Sequence, residues 1–195
     1  MKIEQLHKLY SEHFLVDTDT RKIRKNTIFF ALKGENFNGN KFALESLKIG
    51  AKKAIVDEKE YATKDTIILV DNVLETLQQL ASYHRKTLNI PIIGLTGSNG
   101  KTTTKELINA ILETQYRTTA TTGNLNNHIG VPLTLLSMTP QTEFGKVLLS
   151  TLFRITSATA KIPFTLSPRA SKYSASVMQC QSRPPFAAGS RSTKA

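Results

Sequence analysis

A chain of 195 residues, 39% of them hydrophobic, can hold one large or two small domains around a real core. No run approaches the roughly 18 apolar residues of a membrane span, Met1-Lys2-Ile3-Glu4-Gln5 is no start for a secretory leader, and the lone Cys180 excludes an internal disulfide, so a soluble cytoplasmic protein without membrane insertion is expected. The net charge of +11 invites a nucleic-acid partner, but residues 1–145 hold 18 basic and 15 acidic residues while 146–195 hold 8 basic residues and no acid, so the excess belongs mostly to the last fifty residues.

Ile3, Leu6, Leu9 and Tyr10 stand at helical spacing, followed by a strand-like Phe14-Leu15-Val16 and the turn residues Asp17-Thr18-Asp19-Thr20. Residues 27–32 read as a buried strand closed by Gly34, and 42–49 as a helix ended by Gly50. Two further strands are expected at 53–56 and 66–70. An amphipathic helix is expected over 73–84, with Leu74, Leu77, Leu80 and Ala81 on one face. This alternation predicts an α/β domain over residues 1–85, with Arg85-Lys86-Thr87-Leu88-Asn89 as a linker. Thr20 and Arg21 could bond a nucleobase edge or a phosphate, and Gly34 would let the backbone approach a nucleotide.

A second α/β unit is expected over 90–145. It opens with the apolar strand 90–95, the loop Thr96-Gly97-Ser98-Asn99-Gly100 and a helix from Lys101 to Glu113. A polyphosphate needs many inward N–H donors and a bare backbone at close range. Gly97 and Gly100 permit that approach, and the helix N-terminus adds its N–H groups and positive dipole end. Lys101 can reach the β- and γ-phosphates, and the Thr102 hydroxyl can ligate Mg²⁺. The strict Walker spacing would put a glycine at position 95, where this chain has Leu95. A strand at 118–121 and a loop, Gly123-Asn124-Leu125-Asn126-Asn127-His128-Ile129-Gly130, then lead into a helix with Pro132 in its first turn.

Thr96-Gly97-Ser98-Asn99-Gly100-Lys101-Thr102-Thr103-Thr104 resembles the ATP loop of the Mur ligases and their folylpolyglutamate synthetase relatives, which make an acyl phosphate from a carboxylate and ATP and then an amide from an amine. The asparagine loop resembles that of the D-alanyl-D-alanine-adding branch, in which His128 stands where an acid is frequent. Asp19-Thr20-Arg21, residues 28–34, Asn38-Gly39-Asn40-Lys41-Phe42 and 50–56 resemble the family's UDP-binding domain. The resemblance covers about residues 1–145. It implies a small N-terminal UDP-binding α/β domain followed by the truncated start of a P-loop α/β ATPase domain. By the same resemblance ATP would be bound at Thr96, Gly97, Ser98, Asn99, Gly100, Lys101, Thr102, Thr103, Asn124 and Asn127. Lys101 would be catalytic, Mg²⁺ would sit on Thr102, and the substrate would meet Thr20, Arg21 and Gly34. The implied substrates are UDP-N-acetylmuramoyl tripeptide and D-alanyl-D-alanine, handled by a monomer.

Beyond residue 145 the family pattern, a buried strand ending in a metal-binding glutamate, gives way to Lys146-Val147-Leu148-Leu149-Ser150-Thr151 with no acid. A shifted reading frame, a joined fragment or a genuine basic tail would each account for this. The expectation is a non-matching tail over 146–195, without packed structure from about residue 155. Its basic residues are scattered and Tyr173 is its only Tyr, so no nucleic acid is expected. Three readings stand: an inactive part of the D-alanyl-D-alanine-adding ligase, the sister ligase that adds the third peptide residue, or a nucleotide- or nucleic-acid-binding module without ligase activity.

Overall fold

The computed structural model describes residues 1–97, 100–121 and 125–149, and the backbone of 165–166 and 175–180. Helix α1 (Ile3–Tyr10) leads into β1 (Val16–Asp17), a 3-10 turn (Thr20–Lys22) and β2 (Ile28–Phe30). A small hairpin of β3 (Lys33–Gly34) and β4 (Phe37–Asn38) precedes α2 (Ala43–Ile49), β5 (Lys53–Val56), β6 (Ile67–Leu69) and α3 (Val73–Leu88). The first sheet has the order β1-β2-β5-β6, and every pair in it is parallel. Both faces of such a sheet are covered, which is why the strands are continuous apolar runs rather than alternating ones. Phe30, Ile55, Leu77 and Leu80 have no exposed surface, and each such burial contributes roughly 1.5–3 kcal/mol.

The α3 helix is longer than the amphipathic pattern indicated. The expected linker at 85–89 is its last turn, closed by Asn89 in the left-handed conformation at φ 49°. Arg, Lys and Leu favour the helix, and Pro91 forbids its continuation. At the other end the Asn72 side chain accepts from the Glu75 N–H at 2.9 Å, a cap of the usual kind.

The second unit holds β7 (Ile92–Gly97), α4 (Lys101–Leu112), β8 (Thr118–Ala120), α5 (Gly130–Leu136) and β9 (Phe144–Leu148), with β9 lying parallel between β7 and β8. One core joins the two units: Leu6, Tyr10, Ile55, Leu77 and Leu80 cluster with Val131, Leu136, Met138 and Val147. The seam is polar at one point. The buried Tyr10 hydroxyl donates to Leu136 O at 2.6 Å, and His84 Nε2 lies 2.8 Å from Met138 O, so α1 and α3 supply donors to carbonyls at the end of α5.

The tail departs from its expected character. Strand β9 crosses the expected boundary at 145, and β10 (Thr165–Leu166) and β11 (Ala175–Cys180) lie beyond residue 155. Strand β11 pairs antiparallel with β7 from Ala175↔Gly97 to Cys180↔Ile92. The outer edge of β7 would otherwise present a row of unpaired N–H and C=O groups, and an extended Ala-Ser-Val-Met-Gln-Cys segment satisfies them without needing acidic residues. No helix among the described residues is long and apolar enough to cross a membrane.

Candidate functional site

In a parallel sheet all the loops after the strands open at one end, which is where such sheets bind ligands. The loops after β1, β2 and β5 therefore bring the Thr20–Arg21 turn, Gly34 and the Asp57–Glu58 pair to the same mouth. Asp19 caps its turn by accepting from the Arg21 N–H at 3.0 Å, and its carboxylate takes the Arg21 guanidinium as a fork at 2.9 and 2.8 Å. These hydrogen bonds hold the Asp19 carboxyl down at about 2. The Arg21 side chain is 85% exposed, so it reaches into solvent at the mouth with its orientation set by Asp19.

The hairpin after β2 is pinned from behind. Lys33 pairs with Asp57 at 3.0 Å, Asn40 donates to Asp57 at 2.9 Å, and Asn38 donates to Glu58 at 3.0 Å. Asn40 is fully buried and its amide also accepts from the Asp57 N–H at 3.1 Å. Asp57 in turn receives the Val73 N–H at the start of α3. Asn38 and Asn40 thus brace the mouth from within the protein.

The second mouth lies at the end of β7. Gly100 takes φ +77° before α4, a left-handed angle that side-chain-bearing residues rarely adopt, and a Cβ there would meet nothing within 4 Å. The chain bends sharply beside open space, and Lys101, Thr102 and Thr103 follow as the first turn of α4, which contains no acid. Lys101 is half-buried, while Thr102 and Thr103 are exposed. Ser98, Asn99 and Asn124 lie outside the described residues, and Thr96 and Gly97 are described as strand backbone.

Because β7, β9 and β8 are parallel, with β9 between the other two, the chain leaves β7 and β8 at the same end of the sheet. Asn127 serves the fold there: its side-chain oxygen accepts from Ile129 N at 3.2 Å and Gly130 N at 2.8 Å, capping α5. A Cβ on Gly130 would come within 2.5 Å of the Leu125 backbone, so glycine keeps the loop against the helix. His128 is exposed, and its carbonyl accepts from Gln78 on α3.

Sequence reasoning passed over two lysines. Lys105 is 4% exposed and donates to Thr121 O at 2.9 Å, tying α4 to the end of β8 where the asparagine segment begins. Lys146 on β9 has no exposed surface and donates to Asn109 Oδ1 on α4; burial pushes its ammonium below the ordinary lysine range. The signal that could have found Lys105 is its helical phase, four residues after Lys101 on α4.

The bent Gly100, the acid-free start of α4 and Lys101 in its first turn fit a polyphosphate, while the Lys105 ammonium is taken by Thr121 O and the Glu106 carboxylate. For Mg²⁺ the described residues offer the Thr102 hydroxyl, and no cluster of three or more acidic, His or Cys side chains stands among them.

Residues 95–147 match the Mur ligase middle domain. The chain is 47% identical over 132 residues to the UDP-N-acetylmuramoyl-tripeptide–D-alanyl-D-alanine ligase of Bacillus subtilis, covering 67% of this chain and 29% of the relative. It is 40% identical over 132 residues to the ligase of the same name from Escherichia coli, covering 68% and 29%. Among solved structures, MurF from Acinetobacter baumannii superposes with a TM-score of 0.62 at 35% identity, over 69% of this chain and 30% of that one. The MurF ligase of Thermotoga maritima, solved in complex with ADP, does so at 0.62 and 32% identity, over 70% and 32%. The chain therefore spans about three-tenths of the length of the curated relatives it matches. Over the residues they share, it belongs to the Mur ligase family.

Proposed function

We propose that this chain carries the UDP-precursor mouth and the ATP loop of a ligase that joins D-alanyl-D-alanine to UDP-N-acetylmuramoyl tripeptide through an acyl phosphate. The observation that carries the reading is the left-handed Gly100 opening α4 with Lys101 and Thr102, in a region with 47% identity to a ligase of that name. Lys101 holds the β- and γ-phosphates of ATP, assisted by the N-terminal N–H groups of α4. Bound Mg²⁺, with Thr102 as one ligand, would supply charge neutralisation on the phosphate oxygens. The Thr96–Asn99 segment, Thr103, Asn124 and Asn127 line the nucleotide, Asn127 through the backbone turn that it caps. Thr20, Arg21 and Gly34 receive the UDP-linked precursor, and the fork from Asp19 presents Arg21 toward its diphosphate. The work is cytoplasmic, where nucleotide-linked precursors and ATP are both at hand.

Titrating the 195-residue chain with UDP-N-acetylmuramoyl tripeptide and following amide signals by NMR tests the precursor site. Shifts at Thr20, Arg21 and Gly34 are expected. Their absence at millimolar ligand would remove the N-terminal assignment.

A further inference from the structure

The hairpin of β3 and β4 carries an aromatic ring that the fold does not use. Phe37 is 54% exposed and belongs to neither core cluster. Leaving a phenyl ring in water forgoes the burial that would otherwise stabilise the fold, so its place at a ligand mouth is informative.

Its surroundings hold the ring as a plate. Phe37 stacks on Phe42, with ring centres 5.4 Å apart and planes 11° from parallel. Phe42 itself packs against the core cluster of Phe29, Ala43 and Val56, so the pair is backed by the domain. The cross-strand partner of Phe37 is Gly34, where a Cβ would meet nothing within 4 Å. No side chain from the opposite strand therefore screens the ring. The hairpin base is fixed by the Lys33–Asp57, Asn38–Glu58 and Asn40–Asp57 contacts already described and by Gly39 N donating to Leu32 O at 3.0 Å. A rigid aromatic face with an open neighbour thus stands at the same sheet end as the exposed Arg21.

We propose that Phe37 is the stacking platform for the uracil ring of the UDP-linked precursor, and so a determinant of base recognition. A small planar base gains from lying on an aromatic face held at a fixed tilt, and the cation of Arg21 from the neighbouring loop complements the diphosphate. The inference rests on the reading of this mouth as a UDP site.

The chain contains no tryptophan, so Phe37→Trp places a single reporter at the plate. Titrated with UDP, this variant of the full chain is expected to lose fluorescence saturably, whereas inorganic pyrophosphate leaves it unchanged. By isothermal titration Phe37→Ala should weaken UDP binding about tenfold, within what one base–aromatic stack contributes, while Phe37→Tyr stays within about twofold of the parent. Pyrophosphate affinity should be the same in all variants. Phe37→Ala gives up the stack on Phe42 and should melt slightly below the parent while still folded at the titration temperature, and Phe37→Tyr should melt like the parent. If the parent binds UDP and Phe37→Ala binds it equally well, the stacking role is overturned and the UDP site survives. If the parent binds no UDP, the reading of the mouth fails and the stacking role falls with it.

Discussion

Replacing His84 with glutamine perturbs the polar seam where α1 and α3 meet α5. A carbonyl only accepts, so the 2.8 Å contact to Met138 O requires the His84 proton on Nε2. With the His84 ring neutral, its Nδ1 accepts from His7 Nε2 at 3.1 Å. Tyr10 donates to Leu136 O, and its hydroxyl oxygen faces the same His84 nitrogen at 3.3 Å; burial holds that phenol protonated. Tyr83 packs on His7 from α3, and no carboxylate is among these partners. Burial lowers the pKa of both histidines below the ordinary 6.5. The unfolded chain therefore takes up protons that the folded chain refuses. Stability is complete above about pH 6.5 and is lost as the pH falls below it toward the folded values. Between pH 7.5 and 5.5 the buried His84 removes up to about 1.4 kcal/mol, and the more exposed His7 less. In His84→Gln the side-chain amide can still donate to Met138 O, but it does not titrate. Urea unfolding at the two pH values should show the parent losing more stability than the variant, by up to about 1.4 kcal/mol. An equal loss in both proteins would refute the seam as the source of the pH dependence.

Two other outcomes follow from the geometry. Gly130→Ala drives a methyl to within 2.5 Å of the Leu125 backbone at the first position of α5, so a lower melting temperature is expected, and an unchanged or higher one contradicts the packing described. A polypeptide of these 195 residues, mixed with tripeptide precursor, D-alanyl-D-alanine, ATP and Mg²⁺, should release no ADP above background, because it spans about three-tenths of the length of the relatives that carry the ligase name, and transfer needs the phosphate donors and the amine held together; turnover within a hundredfold of a full-length relative would show that the chain supplies them.

Much of this protein is legible from local pattern. The apolar runs at 27–32 and 53–56 become β2 and β5 because a parallel sheet covered on both faces asks for such runs. The glycine loop is visible because Gly100, Lys101 and Thr102 are adjacent in sequence, and only their flanking strand and helix had to be inferred. What escaped depends on distant partners. The roles of Lys105 and Lys146 depend on Thr121 and Asn109 coming alongside. The His7–His84 contact joins residues 77 apart, which no periodicity reveals. Asn127 has a ligand-like composition, yet its side chain caps α5. The pairing of β11 with β7 depends on an open sheet edge, which is a property of the fold and absent from the tail's composition.

The central claim is that the bend at Gly100 and the start of α4 hold the phosphates of ATP. Isothermal titration of ATP into the parent chain and into Lys101→Ala measures it directly. Loss of one charge-assisted phosphate contact removes roughly 1.5–3 kcal/mol, so the variant should bind ATP about ten- to a hundredfold more weakly. Equal affinity in the two proteins, or no ATP binding by a folded parent, would contradict the account.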